Sequence, residues 1–377
     1  MTIVRLIKII IVSFLIISLF ACSSNSILPQ IDSSQTPEST IRSTETANTT
    51  ANTETQYPVS TLDQPLLEEV GVLTLKLPER LQAASFEYSG LAWYGEHLVL
   101  LPQFAEGKES SREPNFFAIK KADLLEAIAD PSVELPVRNV PIINSDLREL
   151  IRGFEGFESI LFVDQKVYLT IESRAGNPMM GYLIEGEVQG ELESIALDPN
   201  SLVKLEPLSS ERNATFEAMT YWNGFLYVMY EHNSKQNVEQ PLVYQLNLDL
   251  DFVRELPFPE MDYRVTDATF SDINGTFWVM NYFFPGDTHL AVEQDSLVQR
   301  YGEGQTHTEN EVVERLVQLR FDENQISRID QPPTYLQLLD YNIARNWEGI
   351  ALLDDLGFLL VTDSFPGSLL GFCPFLR

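Results

Sequence analysis

The sequence has few cysteines, few histidines and few basic residues. Cys22 and Cys373 are the two cysteines among its 377 residues, which excludes a disulfide-rich framework. The four histidines are His97, His232, His289 and His307. They are too scattered to form a zinc-ligand pattern. Lys and Arg total 25 against 55 Asp and Glu, so the net charge is −30. Such a surface repels nucleic acid, which we therefore exclude as a partner.

Several motifs of common hydrolases are also missing. The chain contains no Gly-x-Ser-x-Gly nucleophile elbow, no phosphate-binding loop and no His-Glu-x-x-His zinc motif. Serine-hydrolase, P-loop and zincin mechanisms therefore have no support. The class of mechanism that remains is one in which oxygen ligands hold a metal ion.

The N-terminus predicts export. Arg5 and Lys8 precede a short apolar run over 9–20, followed by Ala21 and a cysteine. This pattern is typical of a secretory signal peptide over residues 1–21. The ending LFAC is similar to the lipobox of bacterial lipoproteins, which implies cleavage before Cys22, lipidation of its thiol and anchoring at the extracytoplasmic face of a bacterial cell membrane. An uncleaved signal anchor and simple secretion are the alternatives.

The residues that follow Cys22 predict a tether rather than a folded element. Residues 22–65 are rich in Ser and Thr and have no apolar period, so they cannot offset the entropy of ordering. A flexible spacer of this kind would hold a folded domain over 66–377 clear of the membrane. With Cys22 lipidated, Cys373 has no partner for a disulfide, so the core, or the core and a metal, must hold that domain.

A short pattern occurs five times in the remaining chain. Each copy has an acidic residue or serine, a small and an apolar residue, a turn, a hydrophobic strand and a closing polar residue. The leading residues are Ser89, Glu158, Glu217, Asp267 and Glu348. The closing residues are Gln103, Glu172, Glu231, Asn281 and Asp363. Leading and closing residues lie 14 positions apart in four copies and 15 in the last. Repeated strand–turn–strand units of this kind predict the blades of a β-propeller.

We therefore expect an all-β fold, a single propeller of five blades. Six blades are the alternative, because the 81 residues between the last two leading positions could contain a degenerate blade. The last copy has only three strands before the chain stops, and residues 70–77 alternate apolar and polar side chains. We predict that this N-terminal strand completes the last blade and closes the ring. An edge strand beside the first blade is the alternative. Residues 120–129 predict a short helix, and the acidic excursion over 285–310 predicts a functional or mobile loop.

The leading residues are the candidate metal ligands. The innermost strand of each propeller blade lines the central tunnel, so these five side chains should face one another. Four carboxylates and a hydroxyl at close range require a cation or bound protons. Because Ca²⁺ takes six to eight oxygen ligands, we expect a calcium-type site. Side chains merely solvated at a tunnel mouth, or a metal that only pins the blades, are the alternatives.

The closing residues lead into loops of one face, where other functional groups could lie. We assign Arg174 and Arg345 to binding of an anionic small-molecule substrate, with a surface ion pair as the alternative for each. His232 follows an acidic residue at a strand end and is the candidate catalytic acid or base, with an ordinary loop histidine as the alternative. The four tryptophans are expected to pack between blades.

Three phrases resemble those of the phytase-like (esterase-like) propeller family of bacterial exported proteins. They are SGLAW from Ser89, EAM from Glu217 and EGIA from Glu348, the last followed by LLVTDS. The ring is also similar to that of the calcium-activated apyrases, five-bladed propellers in which Ser, Glu, Glu, Ser and Glu surround a calcium ion. That resemblance implies Ser89, Glu158, Glu217 and Glu348 as calcium ligands, whereas Asp267 departs from the apyrase serine. The basic clusters that apyrases place around nucleotide have no counterpart, which argues against nucleotidase activity.

Together, these features predict a monomeric, lipid-anchored extracytoplasmic propeller that performs calcium-dependent hydrolysis of a phosphoester or ester. The rival hypothesis is a non-catalytic binding or scaffolding lipoprotein with a structural metal or none. A carbohydrate-binding propeller is a third possibility and would need exposed tryptophans in a groove. Cationic residues converging over the ring would favour the enzyme, and a tunnel plugged by apolar side chains would favour the binder.

Overall fold

Hydrophobic strands joined by tight turns make up most of the computed structural model, which describes residues 66–82, 86–107, 113–143, 146–339 and 343–376. The predicted signal peptide, Cys22 and the tether lie outside the described residues. In the segments that are described, no helix has the length and apolarity needed to cross a membrane.

Three short strands begin the described chain, followed by a 3₁₀ turn. They are β1 (Leu66–Leu67), β2 (Glu69–Val70) and β3 (Leu73–Leu75), and the turn is Glu79–Leu81. Each of these three strands pairs with a strand of a different sheet.

The next two units are antiparallel four-stranded sheets. The first has strands β4 (Tyr88–Tyr94), β5 (His97–Pro102), β6 (Asn115–Lys120) and β7 (Arg138–Ile143), with helix α1 (Lys121–Ala129) before β7. The second has β8 (Phe154–Val163), β9 (Lys166–Ser173), β10 (Met180–Gln189) and β11 (Ser194–Leu197), then the 3₁₀ turn Pro199–Ser201 and β12 (Val203–Leu205). Strands β7 and β11 pair in parallel, and β12 pairs with β10. Helix α1 confirms the helix predicted over 120–129.

The third and fourth units are again built from antiparallel strands, and the fourth contains an insertion between its second and third strands. The third unit has β13 (Ala218–Trp222), β14 (Phe225–Met229), β15 (Leu242–Leu246) and β16 (Phe252–Pro257). The fourth begins with β17 (Arg264–Ala268) and β18 (Thr276–Phe283). Its insertion contains the 3₁₀ turn Thr288–Leu290, α2 (Ser296–Tyr301), β19 (Glu303–Gly304) and α3 (Gln305–Thr308). The sheet resumes with β20 (Val313–Phe321), β21 (Ile326–Arg328) and β22 (Thr334–Leu336).

The last unit confirms the predicted closure by the N-terminus. It consists of β23 (Trp347–Leu353), β24 (Gly357–Thr362) and β25 (Leu370–Pro374), and β3 pairs antiparallel with β25 so that Leu75 lies opposite Leu370. The single strand expected over 70–77 is, however, interrupted at Gly71 and Val72. Its first part, β2, pairs with β22 of the fourth unit, because the segment crosses from one sheet to the next.

The first strands of the units form a closed cycle. Strands β4, β8, β13, β17 and β23 each contact the next, and β23 contacts β4. Apolar side chains on alternate faces of the strands fill the five spaces between adjacent sheets. Each tryptophan packs in or against one of these clusters, as predicted. The all-β propeller fold is thereby confirmed.

Candidate functional site

A polar pocket of about 300 Å³, which we call the central pocket, lies where the first strands begin and the second strands end. All five units contribute to its lining. The side chains used below are Ser89, Gln103, Glu155, Glu158, Glu172, Arg174, Asn213, Glu217, Arg264, Asn346, Glu348 and Asp363. Four of the five predicted metal ligands are therefore brought together here, as are three of the closing residues.

Local backbone irregularities aim several of these side chains inward. The pairing register shifts at Ser89 in β4, at Glu158 in β8 and at Glu348 in β23. A β-bulge adds one residue to a strand and turns that residue's side chain away from the regular alternation. The leading position of these three units is thus the bulged residue itself.

Asp267 is the exception, and the structure places it outside the central pocket. In β17 the extra residue is Thr266, one position earlier, so Asp267 points the other way. Its carboxylate is 1% exposed and accepts hydrogen bonds from the backbone N–H of Ile350 and of Ala268, each at 2.8 Å. Asp267 therefore ties neighbouring inner strands together instead of facing the other leading carboxylates.

Thr266, rather than Asp267, occupies the leading position of the fourth unit. Its hydroxyl donates to the carbonyl of Trp347 at 2.6 Å, just as the Ser89 hydroxyl donates to the carbonyl of Phe157 at 2.6 Å. Each acceptor immediately precedes a leading glutamate of the next unit. The interval from Thr266 to Asn281 is 15 residues, the same as in the last copy, so the spacing in the sequence was enough to indicate Thr266 as the leading residue.

Glu158 and Glu172 form a carboxyl pair on one side of the pocket. The Gln103 amide donates to Oε1 of both side chains at 2.7 Å, and the two carboxyls also hydrogen-bond each other. Burial and the charge of Glu172 raise the pKa of Glu158 well above its usual range. Burial raises the pKa of Glu172 from 4.5 to about 7. The pair therefore retains a proton near neutral pH.

On the other side of the central pocket, the pKa of Glu217 is raised whereas that of its neighbour Glu231 is lowered. Burial, together with the charges of Glu231 and Glu348, raises the pKa of Glu217 well above normal, and no described residue donates a hydrogen bond to its buried Oε2. Burial also opposes ionisation of Glu231, but His232 at 3.4 Å and Arg264 at 3.1 Å outweigh it and lower the pKa to about 2. Glu231 thus has two basic neighbours, His232 and Arg264, whereas Glu217 has no ion-pair partner among the described residues.

A polar chain links the Glu231–Arg264 pair to the last unit. Arg264 Nη2 donates to Asn346 Oδ1 at 2.9 Å, and Asn346 Nδ2 donates to Glu348 Oε1 at 2.6 Å. Burial raises the pKa of Glu348 despite the Arg264 charge, and it raises that of Asp363 as well. Most carboxyls in the central pocket thus lack sufficient positive charge around them.

The two arginines predicted to bind substrate, Arg174 and Arg345, lie in different parts of the structure. Arg174 lines the central pocket, half exposed, with Glu155 at 3.0 Å and the Asn213 amide oxygen at 2.7 Å. Arg345 does not line it: this side chain is buried, pairs with Glu314 at 2.7 Å and donates to the carbonyl of Gln337. We correct its role to a structural one, because its hydrogen-bonding edges are already occupied.

His232 also lies outside the pocket lining. Its ring is 4% exposed, and its Nε2 lies 3.4 Å from the Glu231 carboxylate. We therefore withdraw it as the group that meets a substrate. The guanidinium that does reach the central pocket beside Glu231 is that of Arg264.

The donor set of the central pocket fits a hard cation, although no ready-made metal site is present. Across the described segments, no three His, Cys, Asp or Glu side chains form a group arranged to hold a metal ion. The candidate ligands are nevertheless all oxygens, as calcium prefers, and within the described segments the buried Oε2 of Glu217, a lining residue, has no hydrogen-bond donor. Raised carboxyl pKa values indicate where positive charge is missing.

The opposite ends of the inner strands enclose an apolar pocket of about 290 Å³. It is lined by residues that include Leu91, Trp93, Ile160, Phe162, Phe270 and Leu352. The propeller therefore has a charged pocket at one end of its inner strands and apolar side chains at the other. The expected convergence of cationic residues is limited to Arg174 and Arg264 in the lining of the central pocket, whereas apolar side chains do gather at the opposite end.

The chain matches no family model and no curated protein. It is similar to three solved propeller-like enzymes at low identity. The Escherichia coli soluble aldose sugar dehydrogenase is 9% identical, with a TM-score of 0.40 over 81% of this chain and 100% of the other. A Cellvibrio cellulosa α-L-arabinanase mutant is 9% identical, with a TM-score of 0.43 over 76% and 91%. The catalytic domain of a Coprinopsis cinerea α-L-arabinofuranosidase is 10% identical, with a TM-score of 0.41 over 81% and 96%. At these TM-scores the similarities carry no argument about function.

Proposed function

We propose that the central pocket binds a calcium-type divalent cation and that the protein, lipid-anchored on the extracytoplasmic face, hydrolyses an anionic phosphoester or ester there. The observation that carries the proposal is the buried Oε2 of Glu217, which finds no hydrogen-bond donor among the residues that the structure describes, in a pocket of carboxyls with raised pKa values. A cation would supply the missing charge.

The charge balance of the pocket requires a cation before an anion can enter. Seven acidic and two basic side chains line it. Both arginines are already engaged, Arg174 with Glu155 and Arg264 with Glu231. An anionic ester alone would therefore meet net repulsion, whereas a bound divalent cation would attract it.

The residues that would hold the cation are Ser89, Glu158, Glu217 and Glu348. When bound, the cation supplies Lewis-acid polarisation of the ester oxygen and a lowered pKa for water. Arg174, half exposed at the pocket mouth, can turn from Glu155 to an anionic oxygen of the substrate. Glu172, with its pKa near 7, can accept or donate a proton at neutral pH.

The first test is thermal unfolding of residues 66–377 after chelation, with calcium, magnesium or zinc added back. A ligand that binds only the folded state stabilises it by about 2.7 kcal/mol at a hundredfold excess over Kd. We expect a rise in Tm with calcium that Glu217→Gln largely removes. Glu323→Gln, an exposed carboxylate outside the pocket, is the matched control and should keep the rise. If no cation raises Tm, the cation site and the hydrolase built on it are both wrong.

The second test is turnover of aryl phosphates and carboxyl esters with calcium and with chelator. We expect calcium-dependent hydrolysis in which Arg174→Gln raises KM more than it lowers kcat, because the guanidinium binds the anion. Calcium stabilisation without any turnover would instead favour the non-catalytic binder, for which the apolar pocket at the opposite end is the supporting observation.

The anchor is tested separately in cells. The native protein should fractionate with membranes and incorporate labelled fatty acid, and Cys22→Ser should lose both properties. Unlabelled protein that remains membrane-bound would point to an uncleaved signal anchor instead.

A further inference from the structure

A third cavity, of about 410 Å³, lies beside the fourth unit, and we call it the insertion pocket. The insertion between β18 and β20 forms one side and the sheet forms the other. The lining that matters here is Phe283, Ala291, Val298, Glu303, Glu311 and Val312. No lining residue is shared with the central pocket, so the two sites are separate.

A buried network holds the walls of the insertion pocket in place. Asp295 accepts hydrogen bonds from the first turn of α2, including the Leu297 N–H at 2.8 Å, and pairs with Arg315 at 2.7 Å. Arg315 is fully buried and also donates to the Asn281 amide oxygen and the Tyr335 hydroxyl. The cavity is therefore lined by preformed structure rather than by a loose loop.

The remaining charges on the far wall are also paired. His307 Nδ1 lies 2.7 Å from the Glu69 carboxylate, which further accepts from the Thr306 N–H and hydroxyl. Asp295 is thus paired with Arg315, and His307 with Glu69. Among the described residues, Arg315 Nη2 has no hydrogen-bond partner, but Arg315 does not line the cavity, and the His307 ring, which does, is held by Glu69.

Two carboxylates of the insertion pocket stand apart from these pairs. Within the described residues no ion pair includes Glu303 or Glu311, and the lining contains neither lysine nor arginine. Burial raises the pKa of Glu303, and the His307 charge only partly opposes this. Phe283, Val298 and Val312 provide an apolar surface beside these two acids.

We propose that the insertion pocket binds a small organic cation, a protonated amine on an apolar body, with the ammonium at Glu303 and the body against Phe283, Val298 and Val312. An anion would meet uncompensated carboxylates. A bare metal ion would find too few oxygen ligands among the apolar walls. A ligand with one charged end and one apolar end satisfies both features of the cavity.

The test compares three probes of one shape: phenethylammonium, 2-phenylethanol and phenylacetate, with binding measured by calorimetry or saturation-transfer NMR on residues 66–377. We expect phenethylammonium to bind at least tenfold more tightly than the alcohol, and phenylacetate not to bind. Glu303→Gln should weaken phenethylammonium at least tenfold, while Glu323→Gln should leave it unchanged. Equal binding of amine and alcohol, or an unchanged affinity in Glu303→Gln, would overturn the proposal.

Two further variants keep the result interpretable. Ala291 is exposed at the rim, so Ala291→Trp can fill the cavity without disturbing the core and should abolish binding. Glu217→Gln alters only the central pocket and should leave amine binding intact. Binding that survives Ala291→Trp, or no binding of either phenethylammonium or hexylammonium at millimolar concentration, would also refute the site.

Discussion

In four of the five inner strands, the position of a single bulged residue decides which side chain occupies the leading position. Ser89, Glu158 and Glu348 occupy that position in their strands, and Thr266 occupies it in β17. Because side chains alternate along a strand, a shift of one residue moves a side chain to the opposite face. Asp267 is thereby converted from a candidate ligand into an acceptor for backbone N–H groups.

Asp267→Asn should lower stability without affecting cation binding. The asparagine amide would present N–H groups where one carboxylate oxygen now accepts a backbone hydrogen bond, at a cost of about 1–3 kcal/mol. Urea unfolding would measure that loss, and the rise in Tm on addition of calcium should equal that of the native protein. A reduced calcium response in a folded Asp267→Asn protein would contradict this assignment.

Glu314→Ala should be strongly destabilising, because it leaves Arg345 buried without its counter-charge. The pair is held at 2.7 Å, and Glu314 also accepts from the Trp347 indole. Breaking one side of a buried ion pair costs about 3–5 kcal/mol. The measurement is the urea midpoint, with Glu311→Ala, an exposed acid nearby in the chain, as control. A folded Glu314→Ala protein of native stability would show that Arg345 does not depend on this partner.

At the scale of elements, the first strands of the described chain connect parts that are distant in sequence. Strand β1 pairs with β19 of the insertion, β2 with β22 of the fourth unit and β3 with β25 of the last. Glu69 reinforces the first of these links, because donors from Thr306 and His307 overcome burial and lower its pKa. The insertion is therefore attached to the chain segment that follows the predicted tether.

Glu69→Gln should loosen this attachment locally. The glutamine keeps one acceptor but loses the charge that the His307 ring and the Thr306 groups share, a cost of about 1–3 kcal/mol. Hydrogen exchange should rise at residues 66–70 and 303–308 and stay unchanged in β14. Glu68→Gln, an exposed neighbour, serves as control. Uniform faster exchange across the whole domain would indicate global destabilisation instead of a local link.

For the whole molecule, the buried carboxyls make stability depend on pH and on cations together. Glu158, Glu172, Glu217, Glu348 and Asp363 all have raised pKa values in the folded state. Above the usual carboxyl pKa the unfolded chain has lost these protons while the folded protein still holds them. Stability therefore falls as pH rises, by up to about 1.4 kcal/mol per pH unit for each titrating group.

In chelator, the unfolding free energy should decrease from about pH 5 to pH 7, the interval over which Glu172 titrates between its unfolded and folded values. Glu231 has the opposite sign, but its contribution is lost only as the pH falls towards 2. Calcium should reduce the slope, since bound cation replaces the protons. Urea unfolding at several pH values measures both effects. Stability that rises from pH 5 to 7 without calcium would show that these carboxyls do not retain protons in the folded protein.

Much of the fold was available from local sequence patterns. Alternating apolar residues, tight turns and five copies of one sequence pattern predicted an all-β propeller. The alternating segment over 70–77 predicted closure of the last sheet. Four of the five proposed ring residues were correctly placed together. These inferences succeeded because side-chain alternation and turn geometry are properties of neighbouring residues.

The remaining features depended on tertiary pairing. The bulge at Thr266 arises only when β17 pairs with β18, and Arg345 finds a partner 31 residues away on another sheet. His232 lies behind Glu231 because the strand end packs inward, and the insertion pocket forms only where two short helices meet the fourth sheet. The sequence by itself determined the propeller and its acidic centre, since both follow from a local repeat. Only the tertiary structure decided which charges are paired and which are left for a ligand, because pairing depends on distances between residues that are remote along the chain.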